Sequence, residues 1–409
     1  MSTVLHACFV LVTLAWLATI AHAAEQVATI DDNDVVGIVP EFKKLPAPDW
    51  VKPGVQIANA FYSAMSRPGG GYDLADNGDF VDQYGNHYNE AKSFGSAGQG
   101  FTITSIVGVD EHTVAMHTNL DLASVTGPLA PSMVLAGVTY AGANNVWIHP
   151  AGLKALLAGA GPGRKISRTP FAIGNQKFNA VILMFHPSPG SNHYWVWDED
   201  TGLLLKSSSV EVVDASPGVD TAKSTRLMRT TFAGMRTLKL PWNNARPPAW
   251  TGEFHALDYQ GTTAMNIVGA NTPPSPLQMS LTAGRRGPGW VETSLHVAAG
   301  AGKPPAAVVR TLNSIYSLMG CYVPPEGLSQ LRTGQVLDED PITRFTYTVT
   351  GTTQLADGTK VVVIREAGKV HAVDCGYDLN TGTLVLYRKS EQLGSATTTT
   401  TQAQLVRRR

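Results

Sequence analysis

Short apolar and β-branched runs, separated by glycine, proline and polar turns, dominate the pattern of this chain. Two such runs, FNAVILMF from Phe178 to Phe185 and KVVVIR from Lys360 to Arg365, are typical of β-strands. Downstream of each lies an Asp-x-Asp/Asn-Thr-Gly stretch between apolar segments. Glycine supplies the positive φ of a hairpin loop, and the acidic or amide side chain can hydrogen-bond back to the turn. The pattern therefore predicts two hairpins, Tyr194–Trp197 with Leu203–Lys206 and Val370–Tyr377 with Thr383–Arg388.

The two hairpin turns belong to a longer internal repeat. Trp197 to Leu205 (WDEDTGLLL) matches Tyr377 to Val385 (YDLNTGTLV), 180 residues further on. A second anchor precedes it in both places, because Trp147 to Leu156 (WIHPAGLKAL) matches Tyr322 to Leu331 (YVPPEGLSQL) at an offset of 175. Two matches in the same order at nearly the same spacing indicate duplication of one unit. Coincidence remains the alternative.

The repeat sets the expected fold class and division of the chain. The first anchor is typical of a short helix entered through proline, with its leucines docked on a sheet. We therefore expect a mainly β protein with two homologous curved antiparallel sheets, half-barrel-like, each with a short helical segment. The expected segments are a signal peptide 1–23, an extended N-terminal segment 24–50, a first repeat 51–228, a Pro/Trp connector 229–250, a second repeat 251–393 and a disordered Thr-rich tail 394–409. We expect the two tryptophans of the connector to pack between the copies.

The N-terminus predicts export. Ala7 to Ile20 is an apolar run, and Ala21-His22-Ala23 has the small-residue layout of a signal-peptidase site, so cleavage is expected after Ala23. The run is short for a spanning helix of about 20 residues, so we expect no transmembrane segment after cleavage. An uncleaved N-terminal anchor is the alternative, since residues 1–23 contain no lysine or arginine. The expected location is periplasmic or secreted.

Export determines which cysteines remain in the mature chain and whether they are expected to form a disulfide bond. Of the 3 in the sequence, cleavage removes Cys8 and leaves Cys321 and Cys375. An even pair in an exported protein suggests a disulfide bond, and the repeat aligns these positions with Val146 and Trp195. We therefore predict a Cys321–Cys375 bridge where the first copy has an apolar contact. Two separate buried thiols are the alternative.

Composition and motifs exclude more functions than they support. Only 15% of the 409 residues are charged and the net charge is -1, so no general attraction to nucleic acid follows. The chain has no G-x-S-x-G or S-x-x-K hydrolase motif, no H-E-x-x-H or C-x-x-C metal motif, and no glycine-rich phosphate loop between a strand and a helix. We therefore assign no catalytic residue and no cofactor. If their segment is a strand, His112 and His117 lie on opposite faces.

One oxygen-rich segment is a weak calcium candidate. It carries Asp73, Asp76, Asp79 and Asp82 around an Asn-Gly pair. It departs from an EF-hand loop, because Ala75 occupies a ligand position and Tyr84 replaces the closing glutamate. A solvated turn is the alternative.

A stretch without charge is the remaining feature. From Leu122 to Leu153 there is no Asp, Glu, Lys or Arg, while glycine, proline and asparagine interrupt the apolar residues. Such a stretch can line an apolar cavity, and an ordinary buried core is the alternative.

The paired turns at Trp197–Leu205 and Tyr377–Val385 resemble a hairpin of periplasmic lipoprotein carriers of the LolA/LolB type. The resemblance covers about ten residues per copy, and this chain is longer, duplicated and without a lipobox cysteine at the cleavage site. It implies curved sheets and a binding role, and it transfers no functional residue.

The function expected from the sequence is that of an exported, non-enzymatic binding protein for a hydrophobic ligand or a lipidated partner. The alternatives are a structural or assembly protein of the cell envelope and a hydrolase of unrecognised type.

Overall fold

The structure, a computed structural model, is built from two units with the same order of elements. It describes residues 40–66, 71–82, 84–87, 97–124, 130–159, 163–188, 190–213, 224–268, 270–299, 307–393 and 397–409. The proposed signal peptide 1–23 lies outside these residues. We call residues 40–237 unit 1 and residues 238–409 unit 2.

Unit 1 forms one antiparallel sheet and a small hairpin. The sheet strands are β1 Val55–Met65, β4 Ala97–Val109, β5 Thr113–Ser124, β6 Ala130–Tyr140, β7 Arg164–Ile173, β8 Gln176–Ser188, β9 Ser191–Asp198, β10 Leu204–Val213 and β11 Ser224–Thr237. The hairpin pairs β2 Tyr72–Leu74 with β3 Phe80–Asp82, and helix α1 spans Pro150–Ala158. The strand order in the sheet is β6-β5-β4-β1-β11-β10-β9-β8-β7.

Unit 2 repeats this plan. Its strands are β12 Ala256–Ile267, β13 Ala270–Asn271, β14 Ser275–Gly287, β15 Trp290–Ala299, β16 Ala307–Ser314, β17 Val336–Glu339, β18 Thr346–Gln354, β19 Lys360–Ala367, β20 His371–Asp378, β21 Leu384–Leu393 and β22 Thr397–Arg408, and helix α2 spans Pro325–Leu328. The order β16-β15-β14-β12-β22-β21-β20-β19-β18-β17 matches that of unit 1 strand for strand, with β17 added at the edge and β13 beside β12. The prediction of two curved antiparallel sheets, each with a short helical segment, is confirmed.

The repeated anchors meet at the base of each sheet. Gly202 and Gly382 both have positive φ, 77° and 71°. A Cβ atom on either would lie about 2 Å from a backbone oxygen, that of Ile148 or Val323. Only glycine fits there, because any side chain would collide with the segment that leads into the helix.

Each unit also begins with a tryptophan-containing segment that lies upstream of the two anchors. Trp50 donates its indole N–H to the carbonyl of Thr201, and Trp250 donates to that of Thr381, both at 2.8 Å. Each ring packs edge-on against an anchor aromatic, Trp147 at 5.5 Å and Tyr322 at 6.2 Å between centroids. The repeat therefore extends upstream, with Trp50 and Trp250 at equivalent positions.

The predicted connector 229–250 is divided between the two units, and both of its tryptophans lie in unit 2. Residues 229–237 continue β11. Trp242 is buried in the core of unit 2 and donates its indole N–H to the carbonyl of Ile315. Both connector tryptophans thus pack within unit 2, and the expectation that they pack between the copies is wrong.

The C-terminal tail is a strand, and the prediction that residues 394–409 are disordered is wrong for the described part. Residues Thr397–Arg408 form β22, which pairs with both β12 and β21. Threonine is β-branched and packs well on a pleated surface, so a polar, repetitive segment still forms a strand. Ala403 is fully buried, and Arg407 and Arg409 form ion pairs with Asp258.

None of the helices in the described part of the chain is long and apolar enough to cross a membrane.

Candidate functional site

A cleft of about 250 Å³ lies where unit 1 meets unit 2. Unit 1 supplies β1, β4, β5, β6 and the end of β11. Unit 2 supplies β16, the loop 316–320 that follows it, and the segment 340–347 with β19 behind it. The polar lining residues are Gln56, Ser105, His117, Asn119, Asp121, Arg236, Thr311, Asn313, Tyr316, Ser317, Asp340, Thr343, Tyr347 and Glu366. Ligand sites occur preferentially at such domain interfaces.

Two contacts between the units adjoin the cleft. Val107 and Ala115 of unit 1 pack with Leu312 of unit 2. Arg236 of unit 1 donates to both carboxylate oxygens of Asp338, at 2.6 and 2.8 Å, and to Asp340 at 3.1 Å. A bidentate guanidinium–carboxylate pair has fixed geometry, so it sets the position of one unit against the other.

Strand register places the unit 1 wall. Arg236 lies opposite Gln56, Gln56 opposite Ser105, and Ser105 opposite His117, so their side chains share one face. Gln56 donates Nε2–H to Ser105 Oγ at 3.0 Å, but its Oε1 has no partner, and neither does His117 Nδ1. Burial lowers the pKa of His117 to about 4, so this imidazole is neutral at neutral pH. Buried polar atoms without partners are uncommon and point to a group that the site can still accept.

Asp121 is the central residue of the cleft. It lies on the same face of β5 as His117 and Asn119, because side chains alternate along a strand. Only 3% of its surface is exposed, and no described residue donates a hydrogen bond to it. Burial raises its pKa to about 7, Glu366 and Asp340 add to the rise, and His371 opposes it. This carboxyl is therefore partly protonated at neutral pH.

Unit 2 contributes a carboxylate paired with histidine. Glu366 on β19 and His371 on β20 are joined by a hydrogen bond of 3.1 Å between Oε1 and Nε2. The imidazole is buried and packs against the edge of Phe345, with 4.6 Å between centroids. Tyr347 lies directly opposite Glu366 on β18, and its pKa is raised well above 10, by burial first and by Glu366 next.

The loops of unit 2 around the cleft are strained. Asp340 Oδ1 accepts the backbone N–H groups of Ile342 and Thr343, both at 2.8 Å. The two non-glycine residues with positive φ in the described part of the chain are Met319, at 61°, and Arg344, at 64°. Met319 lines the cleft, and Arg344 stands between two lining residues. Such backbone strain concentrates at functional sites.

The cleft can thus offer hydrogen-bond acceptors and exchange protons. Three carboxyl groups, Asp121, Asp340 and Glu366, share the lining with a single guanidinium, that of Arg236, which is already bound to Asp338 and Asp340. A carboxyl whose pKa is raised to about 7 can act as acid or base near neutrality.

The weak calcium candidate does not assemble. Each carboxylate has a separate partner: Asp73 accepts from Asn192, Asp76 pairs with Lys165, Asp79 pairs with Lys206, and Asp82 accepts backbone N–H groups of the turn that follows. The segment folds as the β2–β3 hairpin around Gly78, whose φ is 74°. No set of three or more His, Cys, Asp or Glu among the described residues is arranged to hold a metal ion.

The predicted Cys321–Cys375 bridge is absent. Both residues are free thiols buried in the core of unit 2. Burial raises the pKa of Cys321 to about 12 and also raises that of Cys375. The expected counterpart contact in unit 1 fails too, because Val146 and Trp195 belong to different core clusters. Both cysteines behave as small apolar residues, which is common for buried thiols.

A second recess, of about 350 Å³, lies on the opposite face of the unit 2 sheet. It is lined by polar side chains of five adjacent strands, including Thr262, Arg365, Asp374, Arg388 and Gln402. Arg365 and Asp374 form a bidentate pair at 2.7 and 2.8 Å. The charges of Arg365 and Asp374 therefore neutralise each other within the recess.

No sequence signal marks the cleft residues, since Asp121 and Glu366 are far apart in the chain and belong to no motif. The uncharged stretch from Leu122 begins directly after Asp121, but its apolar character pointed to a different kind of site. Part of that stretch lies outside the described residues, and Val134 is its member in the cleft lining.

Comparisons with known proteins add little. No family model matches the chain. A search of curated proteins found no match either. Among solved structures the chain is similar to a protein of unknown function from the DUF3598 family of Nostoc punctiforme, with 10% identity over 89% of this chain and 98% of that one and a TM-score of 0.15. Similarity at that level carries no argument about fold or function.

Proposed function

We propose that this protein is an exported binding protein that holds a small polar ligand in the cleft between its two units. The observation that carries the proposal is Asp121, a carboxyl group that is 3% exposed, lines the cleft and receives no hydrogen bond from a described residue. Burying a polar group without a partner costs several kcal/mol, on the order of 2–7, so a partner supplied by a ligand is strongly favoured.

The lining favours a polar ligand over the hydrophobic one expected from the sequence. Trp147, Trp197, Tyr322 and Tyr377 fill the cores beside the helices and are fully buried. The cleft, in contrast, combines carboxyl, amide, imidazole and hydroxyl groups with a smaller number of apolar side chains, those of Ile103, Val134, Leu312, Leu318, Met319 and Phe345. Its 250 Å³ is a little below the ~300–1,000 Å³ of pockets for drug-sized ligands, which suits a molecule the size of an amino acid or a monosaccharide.

A ligand panel tests the proposal. Thermal-shift measurements on the chain without residues 1–23, against monosaccharides, amino acids and alkylamines, are expected to yield compounds that stabilise it in a saturable way. Native mass spectrometry should show one ligand per chain. The variants Asp121→Asn and Glu366→Gln should lose the shift, whereas Asp76→Asn, at an exposed surface pair with Lys165, should keep it. A shift that all variants share would place the ligand elsewhere and overturn the proposal.

Export is the part of the proposal that rests on residues 1–23 alone. N-terminal sequencing of material recovered outside the cytoplasm is expected to begin at Ala24. Recovery of Met1 would contradict export by signal-peptide cleavage.

A hydrolase is the second candidate, favoured by a carboxyl of raised pKa, Asp121, and a second carboxyl, Glu366, in the same cleft. Asp121 could donate a proton while Glu366, held by His371, accepts one. Chromogenic glycosides and esters assayed between pH 5 and 8 test this. Turnover that disappears in both Asp121→Asn and Glu366→Gln would support an enzyme, and turnover unaffected by them would exclude this cleft as its active site.

A further inference from the structure

The charges around Asp121 are unbalanced. Asp121 comes from β5, Glu366 from β19 and Asp340 from the turn before β18. The one Lys or Arg among the lining residues, Arg236, is held by Asp338 and Asp340. His117 stays neutral. His371 hydrogen-bonds Glu366, and Tyr347 lies beside the same carboxylate. The cross-strand neighbours of Asp121, Phe101 and Pro131, carry no charge.

Two buried lining atoms, Gln56 Oε1 and His117 Nδ1, have no hydrogen-bond partner. Gln56 Oε1 only accepts, and His117 Nδ1 accepts or donates according to its tautomer. The Asp121 carboxyl, which no described residue bonds, only accepts when it is ionised. A ligand that matches them brings hydrogen-bond donors together with positive charge. An ammonium group has three donors, no acceptor and one charge.

From this arrangement we infer that the cleft binds an organic cation with an ammonium group, and that Asp121 gives up a proton as the cation enters. This inference rests on the proposed function and names its ligand class. The exchange balances: the protonated carboxyl releases H⁺ to solvent, and the resulting carboxylate pairs with the ammonium of the ligand. No bond other than the O–H bond is broken.

The proton exchange follows from the mutual repulsion of the three acids. Without a ligand, Glu366 and Asp340 oppose ionisation of Asp121, and burial adds to that opposition. An ammonium placed among them reverses the balance, because an opposite charge within about 4–6 Å favours the ionised form. Binding and proton release are therefore linked, and affinity rises with pH until Asp121 is ionised in the free protein.

A series of matched probes tests the inference by isothermal titration calorimetry. 1,4-Butanediol, 4-amino-1-butanol and 1,4-diaminobutane have similar size and differ in charge. At pH 7.5 we expect the amines to bind at least ten-fold more tightly than the diol. Between pH 7 and 5 amine affinity should fall by up to ten-fold per pH unit. Titrations at pH 6 in two buffers of different ionisation enthalpy should show release of about one proton.

The variants separate charge recognition from a structural effect. Asp121→Asn should weaken amine binding at least ten-fold and abolish the proton release, while circular dichroism shows an intact fold. Glu366→Gln should weaken it less. Asp76→Asn should match the parent chain in all three readouts.

The outcomes distinguish the two claims. If a neutral compound from the panel binds and is lost in Asp121→Asn, while the amines bind no better than the diol, the cation inference fails and the proposed function stands. If no compound in the series or the panel binds saturably, both fail. Amine binding without proton release would overturn the role given to Asp121.

Discussion

The two units share one scaffold and differ at the end of the sheet that faces away from the helix. At the helical end the same contacts recur: a positive-φ glycine under a backbone oxygen, a tryptophan indole bonded to the turn, and an edge-on aromatic pair. At the other end, register aligns Tyr347, Glu366 and His371 of unit 2 with Arg164, Phe185 and Ser191 of unit 1. The two copies share their folding contacts, and unit 2 carries polar groups at this end that unit 1 lacks.

We call the face of the unit 1 sheet that carries Tyr62, and the equivalent face of the unit 2 sheet that carries Thr262, the outer faces. These faces also differ between the units. In unit 1 the β2–β3 hairpin covers an apolar patch that includes Tyr62, Met184, Tyr194 and Leu227. The equivalent positions of unit 2 are Thr262, Arg365, Asp374 and Thr400, which line the open second recess. A covered face needs apolar residues and an open one needs polar residues. The composition of each face therefore follows from what lies over it.

The largest expected effect is on the shared scaffold. Gly202→Ala and Gly382→Ala each place a Cβ about 2 Å from a backbone oxygen at a positive φ, so each should lower the free energy of unfolding by about 4 kcal/mol or more. Gly334→Ala, with φ 83° and open space, is the control and should cost about 1 kcal/mol. Urea denaturation measures all three. Unequal losses for Gly202 and Gly382 would contradict equivalence of the two turns.

The next effect concerns the cleft between the two units, to which unit 1 contributes Asp121. The pKa of Asp121 is raised from 3.8 to about 7, so the folded state holds a proton that the unfolded state releases, and stability falls as pH rises between these values. Asp121→Asn removes this penalty. It should leave stability nearly unchanged at pH 4 and raise it by about 4 kcal/mol at pH 8, measured by urea denaturation. Asp76→Asn should show no such trend, and a loss of stability at pH 8 would refute the burial of an unpaired carboxylate.

His117 gives the opposite slope in the same cleft. Its pKa is lowered from 6.5 to about 4, so the unfolded state binds the extra proton and stability rises with pH between 4 and 6.5. His117→Gln should therefore gain relative stability toward pH 4, by about 2 kcal/mol, when compared with the parent chain. A difference that does not change with pH would show that His117 titrates normally.

A smaller effect compares the aromatic segments. Trp50→Phe and Trp250→Phe keep most of the ring packing and remove one hydrogen bond each, so each should cost about 1 kcal/mol. Thermal unfolding followed by circular dichroism measures the cost. If only one substitution lowers the stability, the hydrogen bonds of Trp50 and Trp250 do not contribute equally to the two units.

The smallest expected effect concerns the reactivity of the two cysteine thiols. Cys321 and Cys375 are buried thiols with raised pKa values, so the native protein should react negligibly with a thiol reagent, and the denatured chain without residues 1–23 should react at two sites. Alkylation without reductant, followed by mass spectrometry, checks this. A mass two hydrogens lower, with no alkylation after denaturation, would restore the disulfide.

Local patterns predicted much of the fold. The β-rich class, the two anchor hairpins and the helices entered through proline all depend on short-range turn chemistry, which a sequence displays directly. Predictions from composition were less successful. The polar threonines of the tail led to the prediction of disorder. In the structure the tail is a strand between two others, and its successive side chains point to opposite faces of the sheet. Ala403 lies on the buried face.

The sequence by itself determined the repeated unit, because the glycine at each turn and the aromatic residue before each helix serve contacts within about 60 residues of chain. Only the tertiary structure decided the site. Asp121, Arg236, Asp340 and Glu366 come together because the outer face of one sheet packs against the end of the other. That packing depends on surfaces distant in sequence, and their burial is also what gives Asp121 its unusual affinity for a proton.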